Sequence, residues 1–217
     1  MRHCAKRKPH KLEGAQMKTN THKNMASNKI SKQALWILSS VFFIAHLPSI
    51  AHTKECELGV KSKHYKTHIG KSGRQSIVEF FTKNAESKTK IYAYGYANVD
   101  GSGPKKDIKN PNPKLRERVD KGAVFVYGLS KTDSDKCVYE GGEVYNYDDG
   151  KTYHLKITIE SNGNLTLRAS LDKNGWLGET LTWTPLSESD IAKYNGEKPD
   201  FSVVESSYNG LPKNMKP

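Results

Sequence analysis

The sequence predicts an all-β protein, an antiparallel up-and-down barrel of eight strands followed by a short C-terminal helix. Three observations carry that expectation. Residues 141–184 hold two hairpins whose apolar residues alternate and whose turn clusters recur about every 12 residues. Residues 90–97 alternate strictly, with Tyr92, Tyr94 and Tyr96 on one face and Ile91, Ala93, Gly95 and Ala97 on the other. Strands do not alternate with helices anywhere, which argues against a parallel sheet.

The chain of 217 residues is expected to begin with a leader. Residues 34–47 are almost unbroken in their apolar character, Lys29 and Lys32 precede them, and Ser49 and Ala51 set small residues before a cut after Ala51. This is the order of a secretory signal peptide. The run is shorter than the roughly 20 apolar residues of a spanning helix. Residues 1–24 are long for a signal's leading region, so Met25 is a possible true start. The expected division is a leader over 1–51 and one barrel domain with a loose tail over 52–217.

Charge is read without the leader. The whole chain carries 35 Lys and Arg against 23 Asp and Glu, but 1–51 holds nine of the former and only Glu13 of the latter, leaving 26 against 22. A net of +4 removes the main support for nucleic-acid binding. Cys56 and Cys137 survive cleavage, and two cysteines in an oxidising compartment suit one disulfide; two unpaired thiols remain the alternative.

Along the mature chain, Tyr65, His68 and Ile69 suit a first irregular strand, and 76–81 reads as a buried strand. Residues 98–121, rich in Pro, Gly and charge, form a long loop in which 115–119 could make a helical turn. Residues 122–129 are apolar nearly throughout and read as a strand buried on both sides, or in a closed sheet. The next strand, 137–145, is interrupted by Gly141-Gly142, where a bulge is expected. Asp148-Asp149-Gly150 turns the chain into Tyr153, Leu155, Ile157 and Ile159. Leu165, Leu167, Ala169 and Leu171 follow a second turn, and 176–184 is the last strand. After Pro185, Ser187 and Asp190 have the spacing of an N-cap pair, and Gly196 ends the helix. Phe201, Val203 and Val204 suit a docking segment or an added edge strand.

At this point the residues resemble a known family. Asp107-x-x-Asn110-Pro111 with Arg116-x-Arg118 and Gly122, Gly142-x-x-Tyr145, Asp149-Gly150-Lys151-Thr152-Tyr153, Leu165–Arg168, Leu177-Gly178 and Thr182-Trp183-Thr184 are similar to the signature of domain-of-unknown-function family 2147, secreted bacterial proteins. The likeness runs from about 76 to 184. It implies a periplasmic or secreted barrel of the calycin, lipocalin-like kind and no established activity. The chain departs from the pattern in lacking an opening Gly-x-Trp near Gly59 and in carrying Pro185 after the closing motif.

Reaction chemistry is not visible. There is no nucleophile elbow, no His-Glu-x-x-His and no phosphate loop. Asp148 and Asp149 sit in a turn, where Asp serves the backbone. His64 and His68 lack a third metal ligand, and His154 sits on a polar strand face. The chain is therefore expected to be no enzyme and to use no cofactor and no metal. Asp107, Asn110, Arg116 and Arg118 suit either an anion grip or a structural ion pair that pins the long loop. Arg168 is expected to be exposed or to close one barrel end against Trp183. Phe80, Tyr92, Tyr94, Tyr96, Phe125, Tyr127, Tyr153 and Trp176 are the candidate lining of a hollow barrel. The expected function is an exported binding protein for a small hydrophobic or amphipathic molecule, with 98–121 as lid or rim. The alternative is an envelope or secreted interaction module with a filled barrel.

Overall fold

The computed structural model describes residues 56–59, 63–85, 88–133 and 136–216. The expected leader and cleavage site, 1–51, lie outside the described residues.

Eight strands close into one antiparallel barrel: β1 (His64–Lys66), β2 (Ser76–Ala85), β3 (Lys88–Asn98), β4 (Val124–Asp133), β5 (Val138–Asn146), β6 (Lys151–Ile159), β7 (Leu165–Ser170) and β8 (Gly178–Pro185). Each pairs with its sequence neighbour, and β1 closes the cylinder on β8 through Tyr65↔Pro185 and Lys66↔Thr184. The expected bulge is present as a register shift between Tyr139 and Gly142. Only glycine fits at Gly142, because a Cβ there would come within 2.6 Å of the Leu129 nitrogen.

Closure gives each strand an inside and an outside. The inner faces of β2, β3, β6, β7 and β8 contribute Phe80, Ala93, Ile157, Leu167 and Trp183 to one buried cluster. The four connections at the other extremity of the barrel, 67–75, 99–123, 147–150 and 171–177, all lie at one end, because each joins the end of an odd-numbered strand to the start of the next. The opposite end is plugged by the segment 56–59. Cys56 is disulfide-bonded to Cys137, Leu58 is fully buried in the interior cluster, and the Tyr139 hydroxyl donates to Cys56 O at 2.6 Å while accepting from Leu58 N at 3.0 Å.

A second apolar cluster lies on the outside. Ile77, Phe81, Tyr92, Tyr94, Val124 and Tyr127 turn outward from β2, β3 and β4 and are covered by Val204 and Leu211. This explains why 122–129 is apolar nearly throughout: the wall is buried on both faces. The cover comes from α1 (Glu188–Tyr194), α2 (Phe201–Ser206) and the residues that follow to Leu211. Ser187 caps α1 as its spacing predicts, accepting from Asp190 N at 3.2 Å. Residues 201–204 form part of a second helix rather than an edge strand, because a closed barrel offers no free edge to extend. Phe201 and Tyr208 pack on Phe81, and the Ser207 hydroxyl accepts from Val124 N at 3.0 Å. The last strand starts at Gly178 rather than at Trp176, and the helical turn expected at 115–119 is a 3-10 turn at Pro113–Leu115.

The disulfide links positions 81 residues apart. Loop-closure entropy then assigns it about 4 kcal/mol. Replacing both Cys56 and Cys137 by Ser is expected to lower the unfolding free energy by about that amount, read by denaturant titration, and reductant added to the double variant should change nothing further.

Candidate functional site

The interior is packed below and hollow above. Trp183 is 2% exposed and forms the boundary, its ring 6.0 Å from Phe80 and 6.1 Å from Phe125. Above it lies a cavity of about 720 Å³. The inward positions Phe125, Val144, Tyr153, Ala169 and Leu181 make its apolar wall. The four connecting loops make its mouth, which includes Gly70–Ser72, 101–104, Asp148, Asp149, Leu171 and Leu177.

Polar groups gather toward that mouth. Arg74 pairs with Asp120 at 2.7 Å and Lys121 with Glu197 at 2.6 Å. The Tyr153 hydroxyl donates to Asp149 Oδ2 at 2.6 Å, and that bond, with burial second, pushes its phenol up to about 12. Ser102 and Tyr147 border the cavity, but the Tyr147 hydroxyl is itself enclosed by protein and has no hydrogen-bond partner among the described residues. Such a group is costly to leave unpaired.

His68 joins the floor to the rim. Its Nδ1 accepts from Trp183 Nε1 at 3.3 Å, so this ring nitrogen carries no proton in that bond. Burial holds its pKa below the usual value, opposed by the carboxylates of Glu179 and Asp148. His64 lies outside the barrel, bonded through Nδ1 to the Tyr96 hydroxyl at 2.9 Å. Its pKa is also lowered, chiefly by burial, with Glu79 opposing and Lys198 reinforcing the shift.

The motif residues of the long loop form a separate arrangement. Asp107, 1% exposed, receives Tyr145 Oη on Oδ1 at 2.7 Å, and Asn110 Nδ2 at 2.7 Å and Arg118 Nη2 at 2.9 Å on Oδ2. Arg116 Nε donates to Asn110 O at 2.9 Å. The loop also pairs with itself, Lys106 against Val119. These bonds staple 105–119 to β5, while 101–104 and 120–121 reach the cavity mouth. Burial first, then the bond to Asp107, raises the Tyr145 phenol pKa. Of the two alternatives for this motif, the geometry is that of an internal ion pair: the Asp107 carboxylate already fills the place an external anion would take.

The candidate lining residues separate. Phe125 and Tyr153 line the cavity, and Phe80 lies beneath it in the packed half. Tyr96 borders the cavity, but its hydroxyl is held by His64 on the outer side. Tyr92, Tyr94 and Tyr127 belong to the outer cluster and do not line the cavity. The Tyr94 hydroxyl donates instead to Glu79, which also receives Lys198 Nζ at 2.7 Å. On β3 it is the small-residue face, Ile91 and Ala93, that turns inward. Trp176 is 83% exposed in the β7–β8 loop. Arg168 does not stack on Trp183: it lies on the outer face and donates to Gly175 O at 2.7 Å and Trp176 O at 3.1 Å. Cavity residues that aromatic content did not signal are Val144, Ala169 and Leu181, although the last two sit at alternating positions of their strands.

The family described as "Uncharacterized protein conserved in bacteria (DUF2147)" matches residues 64–185, from the first strand to the last. The chain belongs to that family. A solved structure, protein HP1028 from the human pathogen Helicobacter pylori, described as belonging to the lipocalin family, is 41% identical and superposes with a TM-score of 0.60. The alignment covers 67% of this chain and 96% of that one. Curated proteins give no match. Within this DUF2147 chain, the Asp107 network, the cavity wall and Trp183 all fall inside the matched span.

Asp107→Asn is expected to destabilise the protein by about 3 kcal/mol, since it leaves the half-buried Arg118 without its counter-charge. Denaturant unfolding measures the loss, and limited proteolysis should show earlier cutting within 99–123. The two histidines set a pH dependence. With folded values below the ordinary 6.5, the unfolded chain binds more protons in the window just below 6.5. Stability therefore falls as pH drops through that window and levels off below the lowered values. Melting temperatures between pH 7.5 and 5 should show this, with a shallower slope in His68→Gln.

Proposed function

We propose that the chain is an exported, lipocalin-like binding protein, without enzymatic activity, that takes a small hydrophobic or amphipathic molecule into the upper half of its barrel. The supporting observation is the cavity itself. At about 720 Å³ it lies within the usual range of small-molecule sites, roughly 300–1,000 Å³. Its wall is apolar at Phe125, Val144 and Leu181, while polar groups cluster at the mouth. An apolar tail inside and a polar head at the rim satisfy both regions. The resemblance to a lipocalin-family structure supports the same reading.

The alternative, an envelope or secreted interaction module with a filled barrel, fits the lower half of the interior and not the upper. A periplasmic or secreted location is supported by the Cys56–Cys137 disulfide, which persists in oxidising compartments.

Ala169→Phe fills the cavity from an inward position of β7. The wild-type protein is expected to enhance the fluorescence of 11-(dansylamino)undecanoic acid saturably, and Ala169→Phe to weaken that binding at least about tenfold with an unchanged fold by circular dichroism. Equal binding by the two proteins, or none by the wild type together with no lipid on organic extraction, would remove the reading.

A further inference from the structure

The exposed apolar side chains are not scattered. Nine large ones are exposed among the described residues, and seven lie in the loops around the cavity mouth: Ile69, Val99, Ile108, Val119, Leu171, Trp176 and Leu177. The other two, Phe201 and Val203, belong to α2.

The most exposed, Trp176, stands on a backbone held by side-chain hydrogen bonds. Asp172 accepts from Trp176 N at 3.1 Å and Leu177 N at 2.6 Å. Arg168 donates to Gly175 O and Trp176 O from the other side. Four side-chain hydrogen bonds thus fix the backbone that holds Trp176 at 83% and Leu177 at 68% exposure. The next loop round the rim, beyond the β1–β8 pairing, carries Ile69 at 66%. Exposed Lys71 and Lys173 stand on these same two loops and make no ion pair among the described residues.

Charge agrees with the apolar pattern. The four loops of this end hold ten Lys and Arg against seven Asp and Glu, three of the mature chain's net four positive charges. Asp107 and Asp120 are each paired with an arginine of these same loops, which leaves the excess of three positive charges on the remaining side chains.

We propose that the mouth of the barrel docks on the surface of an anionic phospholipid bilayer, with Trp176, Leu177, Leu171 and Ile69 entering the interface and the loop lysines meeting lipid phosphates. Trp favours the headgroup level, and lysines beside it can reach the phosphates while their stems stay apolar. A basic surface is drawn to an anionic leaflet. A protein partner is the weaker fit: stable interfaces cover about 800 Å² per side, whereas these residues stand on narrow loop tips around an opening. Docking in this pose turns the cavity toward the lipid. It goes beyond the ligand reading and can hold or fail independently of it.

The test is flotation of the exported, processed protein with vesicles of phosphatidylglycerol and phosphatidylcholine, and with phosphatidylcholine alone. Binding to the anionic vesicles is expected, weakened by salt, with Trp176 quenched by brominated lipid. Trp176→Ser with Leu177→Ser is expected to lower the bound fraction roughly tenfold with an unchanged melting temperature, and Trp176→Phe to remove the quenching. Ala169→Phe should leave flotation intact, which separates this result from failure of the cavity reading. No flotation by the wild type, flotation unaffected by the double variant, or a dimer in solution that already buries Trp176 would each overturn the proposal.

Discussion

Closure of β1 on β8 is the constraint from which the rest follows. Two register pairs, Tyr65↔Pro185 and Lys66↔Thr184, complete the ring, and the sheet has no free edge. Once the ring is closed, each strand must commit one face to the interior. An eight-stranded ring encloses only enough space for packed side chains or one small ligand. This barrel divides that space at Trp183. Below, the segment 56–59, Tyr139 and the disulfide fill the end; above, Val144, Ala169 and Leu181 are too small to meet across the middle.

The outer wall is a second solution to the same problem. β2, β3 and β4 carry apolar residues on both faces, so their outer face needs cover. The C-terminal helices supply it with Val204, Phe201 and Tyr208. The cover is also pinned by charge, Lys198 to the buried Glu79, which the Tyr94 hydroxyl bonds as well. The Asp107 network does the equivalent work for the long loop, joining it to Tyr145 on β5. Loop and C-terminal segment are thereby fixed parts of the wall that frame the cavity mouth.

Much of this was legible in the chain. Period-2 alternation in β3, β6 and β7, and glycine-bearing turns between them, are local signals that survive in the fold. So are the Gly142 bulge and the Ser187 cap, whereas the sequence left open whether Asp107, Asn110, Arg116 and Arg118 grip an anion or form an internal pair. The inward face was not legible wherever both faces of a strand are apolar. Tyr92, Tyr94 and Tyr96 look like a binding stripe, yet closure turns Ile91 and Ala93 inward and leaves the tyrosines to the C-terminal cover. Trp176 reads as a strand residue by type, but Asp172 and Arg168 bind its backbone groups before β8 begins. Residues 201–204 read equally as strand or docking segment, and only the absence of a sheet edge decides for helix.

The central claim is that the barrel is packed below Trp183 and ligand-accessible above it. Methyl-resolved NMR during titration with 11-(dansylamino)undecanoic acid tests this most directly. The account predicts shifts at Val144, Ala169 and Leu181, with Ile159 and Leu165, which lie level with Trp183 at the packed end, and Val204 outside unchanged. Shifts centred on Val204 and the outer cluster, or none at the three upper methyl groups at saturating probe, would contradict it.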